Sequence, residues 1–203
     1  MKFAFLYACL FIFFVLNMHG TVQGQDTHHN ITVLRYKNSS DNIQYVSERI
    51  ATMYNADFQT VESFVQAAVD HESEIGIPAT VIIGIALHES GFNSFLFQHT
   101  ENPFGIKAGK DWPGATYSKW DDGGESTFKA YASPEEALLD FGNFIKSREW
   151  YADALACPGE DTACVINGLK KTDAEPGFAS DPNWDESVME TIQKSGLEDL
   201  KKR

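Results

Sequence analysis

The sequence predicts an α+β domain, mostly helical, with one small β insertion. Three observations predict it. Apolar residues recur at spacings of three and four on both sides of residues 112–131. Inside that stretch, two short runs rich in Thr, Tyr, Trp and Phe are parted by Asp121-Asp122-Gly123-Gly124. Helix start and stop residues frame the periodic segments.

The elements follow in order. Lys2, an apolar run from Phe3 to Leu16 and small or polar residues through Gly24 compose a signal peptide, residues 1–24. The run is shorter than the ~20 residues a membrane span needs, so no stable membrane insertion is expected after its removal. Residues 25–56 are expected to be a flexible leader, because 25–45 is dominated by Gln, Asn, Ser and Asp without a helical period. Asn30-Ile31-Thr32 and Asn38-Ser39-Ser40 match glycosylation acceptors, meaningful only in a eukaryotic source. The folded domain is placed at 57–200. Its first helix begins near Asp57 and carries the stripe Phe58, Val61, Phe64, Val65 and Ala68. The second runs from Pro78 to about Ser90, with Pro at its first position and Gly91 just past its end. Residues 112–131 form a β-hairpin. Ser133-Pro134-Glu135-Glu136 then opens a helix as cap, first position and capping box, with Leu138, Phe141, Phe144 and Ile145 on one side. A short helix covers Thr162 to Lys171. The last starts at Asp181-Pro182, buries Val188, Met189 and Ile192, and stops at Gly196.

Sixteen basic residues against 29 acidic ones give a net charge of −13, which argues against a nucleic-acid partner. Polysaccharide binding would have to come from a local groove. Of the three cysteines, Cys9 leaves with the signal peptide, and Cys157 and Cys164 pair as a local disulfide in an exported chain. No cofactor or metal is expected. His71-Glu72 and His88-Glu89 each begin like a zinc-protease helix motif, but neither has a His three residues after its Glu.

Glu89 is the residue that asks for an explanation. On a helix it shares a face with Ile82, Ile85 and Ala86, and a carboxylate on an apolar stripe is costly to bury. It also lies near the helix C-terminus, where the dipole disfavours a second anion. Both effects favour the protonated acid. A carboxylic acid kept neutral near pH ~6 can protonate a leaving-group oxygen.

The residues after it narrow the reading. Glu89-Ser90-Gly91-Phe92-Asn93 is followed by Asn102-Pro103-Phe104-Gly105-Ile106-Lys107, then Phe128-Lys129-Ala130-Tyr131-Ala132-Ser133 with Glu135, Glu136 and Asp140. Gly168-Leu169-Lys170-Lys171 and Gly177-Phe178-Ala179-Ser180-Asp181-Pro182-Asn183-Trp184 close the series. These four ordered blocks, over about residues 58–197, resemble the bacterial peptidoglycan N-acetylglucosaminidases of autolysins and flagellar wall hydrolases. The resemblance implies a lysozyme-like helical domain with a small β-hairpin lobe across a substrate groove. It implies a secreted endo-β-N-acetylglucosaminidase that binds peptidoglycan glycan strands and cleaves the β-1,4 bond after N-acetylglucosamine. Glu89 matches the family's catalytic acid, and Asn102 and Phe104 match the segment bordering the groove.

The chain departs from the family pattern in places. Phe178 stands where a Tyr is usual, Trp184 where a second Tyr is common, Asn93 where Gly is common, and Thr172 to Pro176 look inserted. Trp184 would conserve a stacking surface, while Phe178 has no hydroxyl to offer. A glycosidase usually needs a second carboxylate, and the hairpin offers Asp121, Asp122 and Glu125. Assistance from the substrate's own N-acetyl group is the alternative. Trp112 and Trp120 would either line the groove or pack beneath the hairpin, where Phe128 and Tyr131 are expected. Two rival functions are a lytic transglycosylase and a catalytically weak glycan-binding module. The first shares a Glu-Ser-Gly-Phe helix end but expects a Gly-Leu-Met-Gln type segment soon after it, which this chain lacks.

Overall fold

The computed structural model describes residues 39–201 apart from residues 122, 160, 171 and 173–175. The signal peptide, the Asn30 glycosylation pattern, Asn38 of the second pattern and Asp122 therefore lie outside the described residues. Among those described, no helix is long and apolar enough to cross a membrane.

The first helix corrects the expected leader. Helix α1 spans Ser39–Tyr54 and buries Ile43, Val46 and Ile50 completely or nearly so. That spacing is an apolar stripe. The polar run 25–45 hides it, because the helix begins inside that run. The stripe packs on α2 (Phe58–Ile75), on the last helix and on the terminal 3-10 turn Leu197–Lys201. Arg49 adds a hydrogen bond of 2.7 Å to the carbonyl of Lys194.

Asp57 caps α2 by accepting from the Thr60 N–H at 2.8 Å. The expected stripe is present, with Val61, Phe64, Val65 and Ala68 buried and Phe58 partly so. Helix α3 spans Ala79–Ser90, and every residue from Ala79 to Leu87 is buried. It is thus the central helix, apolar all round rather than along one stripe. Pro78 sits at the cap position, one residue earlier than expected. Glu72 reaches back to accept the otherwise orphaned Ala79 N–H at 3.0 Å.

Helix α4 spans Phe95–Thr100. The hairpin pairs β1 (Thr116–Asp121) with β2 (Gly124–Lys129) antiparallel, with Tyr117 opposite Phe128 and Trp120 opposite Glu125. Helix α5 spans Pro134–Lys146, capped by Ser133. Glu136 accepts from the Ala132 N–H at 2.8 Å, one residue before the cap that a capping box would use. Helices α6 (Ala152–Leu155) and α7 (Thr162–Leu169) pack together and are joined by the Cys157–Cys164 disulfide.

Helix α8 spans Trp184–Ser195 and runs back along α3. A Cβ at Gly84 would lie 2.4 Å from Ile192 Cγ1, so only glycine lets the two helices approach this closely. This crossing puts the start of α8 beside the end of α3, where Glu89 stands.

Candidate active site

Glu89 occupies the last turn of α3. The turn ends at Gly91, whose φ of 57° is left-handed and whose N–H caps Leu87. A side chain at Gly91 would also meet the Tyr54 ring of α1, at 2.7 Å. Ser90 tightens the exit, donating to the Ala86 carbonyl at 2.8 Å and accepting from the Phe92 N–H at 3.2 Å.

Trp184 reaches across to this turn. Its indole N–H donates to Glu89 Oε1 at 2.9 Å, while its ring is only 2% exposed. Water reaches one side of Glu89, which is an exposed residue. Protein atoms nonetheless fill much of the volume around the carboxyl, and this desolvation raises its pKa. The Trp184 hydrogen bond and the nearby charge of His88 pull the other way, and desolvation is the larger effect. An acid that is open to a ligand yet held above the ordinary carboxylate range can donate a proton.

Phe178 stands behind Trp184, with ring centroids 5.4 Å apart, and it also meets Phe141 at 5.8 Å and Phe144 at 6.2 Å. Its N–H binds the Leu169 carbonyl at 2.9 Å, tying the segment to the end of α7. Next to Trp184, Asp185 pairs with Lys170 at 2.8 Å. The structure therefore gathers Glu89, Trp184 and Phe178 into one cluster. It also corrects one detail. Trp184 is too buried to be a stacking surface, and what it presents to Glu89 is its N–H. The hint in the sequence is the Trp standing where a Tyr is common, and here its N–H donor matters more than its ring face.

Asn102 and Phe104 likewise do not face a groove. Asn102 is 1% exposed. Its Nδ2 donates to the carbonyls of Ile106 and Lys129, both at 3.0 Å, and its Oδ1 accepts from the Ile106 N–H at 3.1 Å. That side chain closes its own loop and fastens it to β2. Phe104 is buried and stacks on Phe141, centroids 4.2 Å apart. Both residues are buried structural contacts rather than groove surface. Beside them, Glu101 is a half-buried carboxylate that the sequence did not single out, and burial raises its pKa.

The hairpin is arranged differently. Phe128 and Tyr131 are buried, as expected. Trp112 is half-buried and acts as a strut. Its N–H donates to the Ala115 carbonyl at 2.9 Å, its ring packs edge-on against Tyr131, and Lys129 Nζ lies 4.2 Å from its centre. Lys129 and Tyr131 both bind Asp140 of α5, at 2.8 and 2.7 Å. Trp120 is 75% exposed, opposite the exposed Glu125. Tyr117 rests against His99 and Phe95 of α4, at 5.4 and 6.1 Å, and so connects the hairpin to the segment that follows Glu89. A hollow of about 300 Å³ between α7 and α8 is lined by Ile166, Asp185 and Met189 rather than by Glu89.

The site thus presents a carboxyl of raised pKa at the end of a central helix, on a helical frame with one small hairpin. The chain belongs to the glucosaminidase family, since the family model described as mannosyl-glycoprotein endo-beta-N-acetylglucosaminidase matches residues 65–197. Among curated relatives, the peptidoglycan hydrolase FlgJ of Pseudomonas aeruginosa is 23% identical over 156 residues, 70% of this chain and 38% of that protein. FlgJ of Vibrio cholerae is 23% identical over 161 residues, 71% of this chain and 47% of that protein. The match thus spans less than half the length of these relatives. Among solved structures, a peptidoglycan hydrolase from Sphingomonas sp. A1 has a TM-score of 0.55 at 23% identity, covering 68% of this chain and 94% of that one. The catalytic domain of the autolysin Auto from Listeria monocytogenes has a TM-score of 0.58 at 16% identity, covering 89% and 99%. At such identities the structural likeness speaks to the fold.

Proposed function

We propose that this chain is a secreted peptidoglycan hydrolase that cleaves the β-1,4 bond after N-acetylglucosamine, with Glu89 as general acid. The observation that carries the reading is Glu89 itself. It is solvent-accessible, raised in pKa by desolvation, and held by the indole of Trp184 at 2.9 Å. The peptidoglycan hydrolases among its relatives supply the substrate class.

In the reaction, Glu89 gives its proton to the glycosidic oxygen as the bond from the anomeric carbon breaks and its electron pair moves to that oxygen. Positive charge develops on the sugar ring. Stabilising it falls to a second carboxylate, Asp122 or Glu125, or to the substrate's own N-acetyl group. Water then adds at the anomeric carbon and loses a proton, which restores Glu89. Trp120, exposed beside Glu125, offers an aromatic face to a sugar ring. Export through the signal peptide at residues 1–24 would place the enzyme where its polymer lies.

The test is digestion of purified peptidoglycan by wild type and by Glu89→Gln, with products read by mass spectrometry. New reducing N-acetylglucosamine ends, lost in the variant, are the expected result. Anhydro-muramic ends would instead identify a lytic transglycosylase. Binding without cleavage at every pH would identify a glycan-binding module.

A further inference from the structure

The Trp184–Glu89 contact says more than that the two residues touch. An indole has one N–H and no acceptor, so Trp184 can only donate. A protonated carboxyl has one oxygen that carries hydrogen and one that is bare, and a donor binds the bare one. Oε1 takes the indole N–H at 2.9 Å. We propose that Trp184 is a positioning residue that fixes the acidic proton of Glu89 on Oε2, so that a single oxygen serves as the acid. This rests on Glu89 being the acid, as proposed above.

The surroundings hold the donor still. Trp184 is fully buried and begins α8. Phe178 lies against its ring, and the Lys170–Asp185 pair anchors the adjacent residue. The indole therefore cannot turn away when the carboxyl changes charge. A Tyr at the same place could either donate or accept, and would leave the proton free to sit on either oxygen. The replacement of a common Tyr by Trp removes that choice.

The same bond has a consequence along the reaction. When Oε2 gives up its proton, the electrons of the broken O–H bond stay on the carboxylate. The bond to Oε1 then becomes charge-assisted and stronger. Trp184 thus favours the state reached after proton transfer. His88, the titratable neighbour on α3, acts in the same direction when charged. Asp185 follows Trp184 on α8 but faces Lys170.

Two measurements test the assignment. In wild type, the indole N–H signals of the four tryptophans are followed by NMR against pH. One signal is expected to titrate with Glu89 and to become insensitive to pH in Glu89→Gln. In Trp184→Phe, which keeps a ring without the N–H, the basic limb of the kcat/KM profile is expected to move to higher pH. Its kcat should fall roughly ten- to a hundredfold, the size of a lost bond to a charged group. Trp184→Tyr should recover part of the rate. The assignment is overturned if no indole signal titrates with Glu89, or if Trp184→Phe leaves the limb in place. If the indole titrates but Glu89→Gln still cleaves, the proton placement stands and the enzymatic reading fails instead.

Discussion

The helical wall that carries Glu89 and the two-stranded hairpin are built by opposite means. On the helical side, α3 is buried along nine consecutive residues, and α8 approaches it through Gly84. Glu89 is then held by a tryptophan that is itself core. On the hairpin, Trp120 and Glu125 stand in solvent, and the attachments lie toward the far end of the strands. They include the Asn102 clamp, the Lys129 and Tyr131 bonds to Asp140, the Tyr117 contact with α4, and backbone bonds from Ala108 to Thr127 and from Lys129 to Ile106. Proton transfer needs a group fixed to within fractions of an ångström, whereas gripping a polymer needs surface. On the proposed reading the helical side holds the acid, and the exposed ring of Trp120 on the hairpin meets the glycan, so substitutions at Glu89 and at Trp120 should separate chemistry from binding.

The largest effect belongs to the helical side. Glu89→Gln should lower kcat by about a hundredfold or more, the usual contribution of a general acid, with little change in binding of insoluble peptidoglycan. Its stability should change with pH in a defined sense. Burial raises the carboxyl pKa in the folded state, so the folded protein holds the proton more firmly than the unfolded chain. Wild type therefore loses stability as pH rises from the unfolded value through the raised folded one. The Gln variant lacks that loss, and thermal melts should show it gaining on wild type over that interval. A variant that falls behind wild type as pH rises would contradict the desolvation at this site.

Asn102→Ala should be the largest effect on stability, at about 2–4 kcal/mol by urea unfolding, because it strands buried backbone groups of Ile106 and Lys129. Should Asn102 instead contact sugar, the variant would raise KM and leave the unfolding midpoint unmoved. Removing the disulfide comes next. Cys157→Ser with Cys164→Ser opens a loop closed over a sequence separation of 7, which predicts a cost of about 2–3 kcal/mol. The loss would be felt at α7, whose last carbonyl holds Phe178 behind Trp184. Activity should fall only in proportion to the unfolded fraction.

Sequence reasoning reached the helices with strong periodicity and clear caps, and it reached the hairpin, because Asp-Gly turns and alternating aromatics are local signals. It placed Glu89 correctly at the end of its helix. Helix α1 escapes a sequence reading because its first half falls in the polar run 25–45, which leaves only Val46 and Ile50 of its stripe beyond that run. The sequence alone marks Trp184 as a stacking surface, because a tryptophan in a loop-to-helix motif does not reveal which of its faces is covered. That depends on the α3–α8 crossing at Gly84, a contact 95 residues apart at its Glu89 end. The motif sets Asn102 beside a groove, while its bonds to Ile106 and Lys129 depend on how the hairpin docks. Local chemistry is legible along the chain, but burial is decided between elements.

The smallest effect expected on the fold comes from the hairpin, and it is the one that separates the two sides most cleanly. Trp120 is 75% exposed, so Trp120→Ala deletes almost no buried contact and should change stability by less than about 0.5 kcal/mol. Its ring face is open to a ligand, and an aromatic face packs well on the C–H face of a sugar. If the glycan uses it, Trp120→Ala should raise KM on soluble glycan fragments and weaken pull-down by insoluble peptidoglycan, with kcat and the pH profile kept. The opposite outcome, unchanged KM with reduced kcat, would mean that the hairpin shapes the reacting sugar directly. The division of labour between the two sides would then have to be withdrawn.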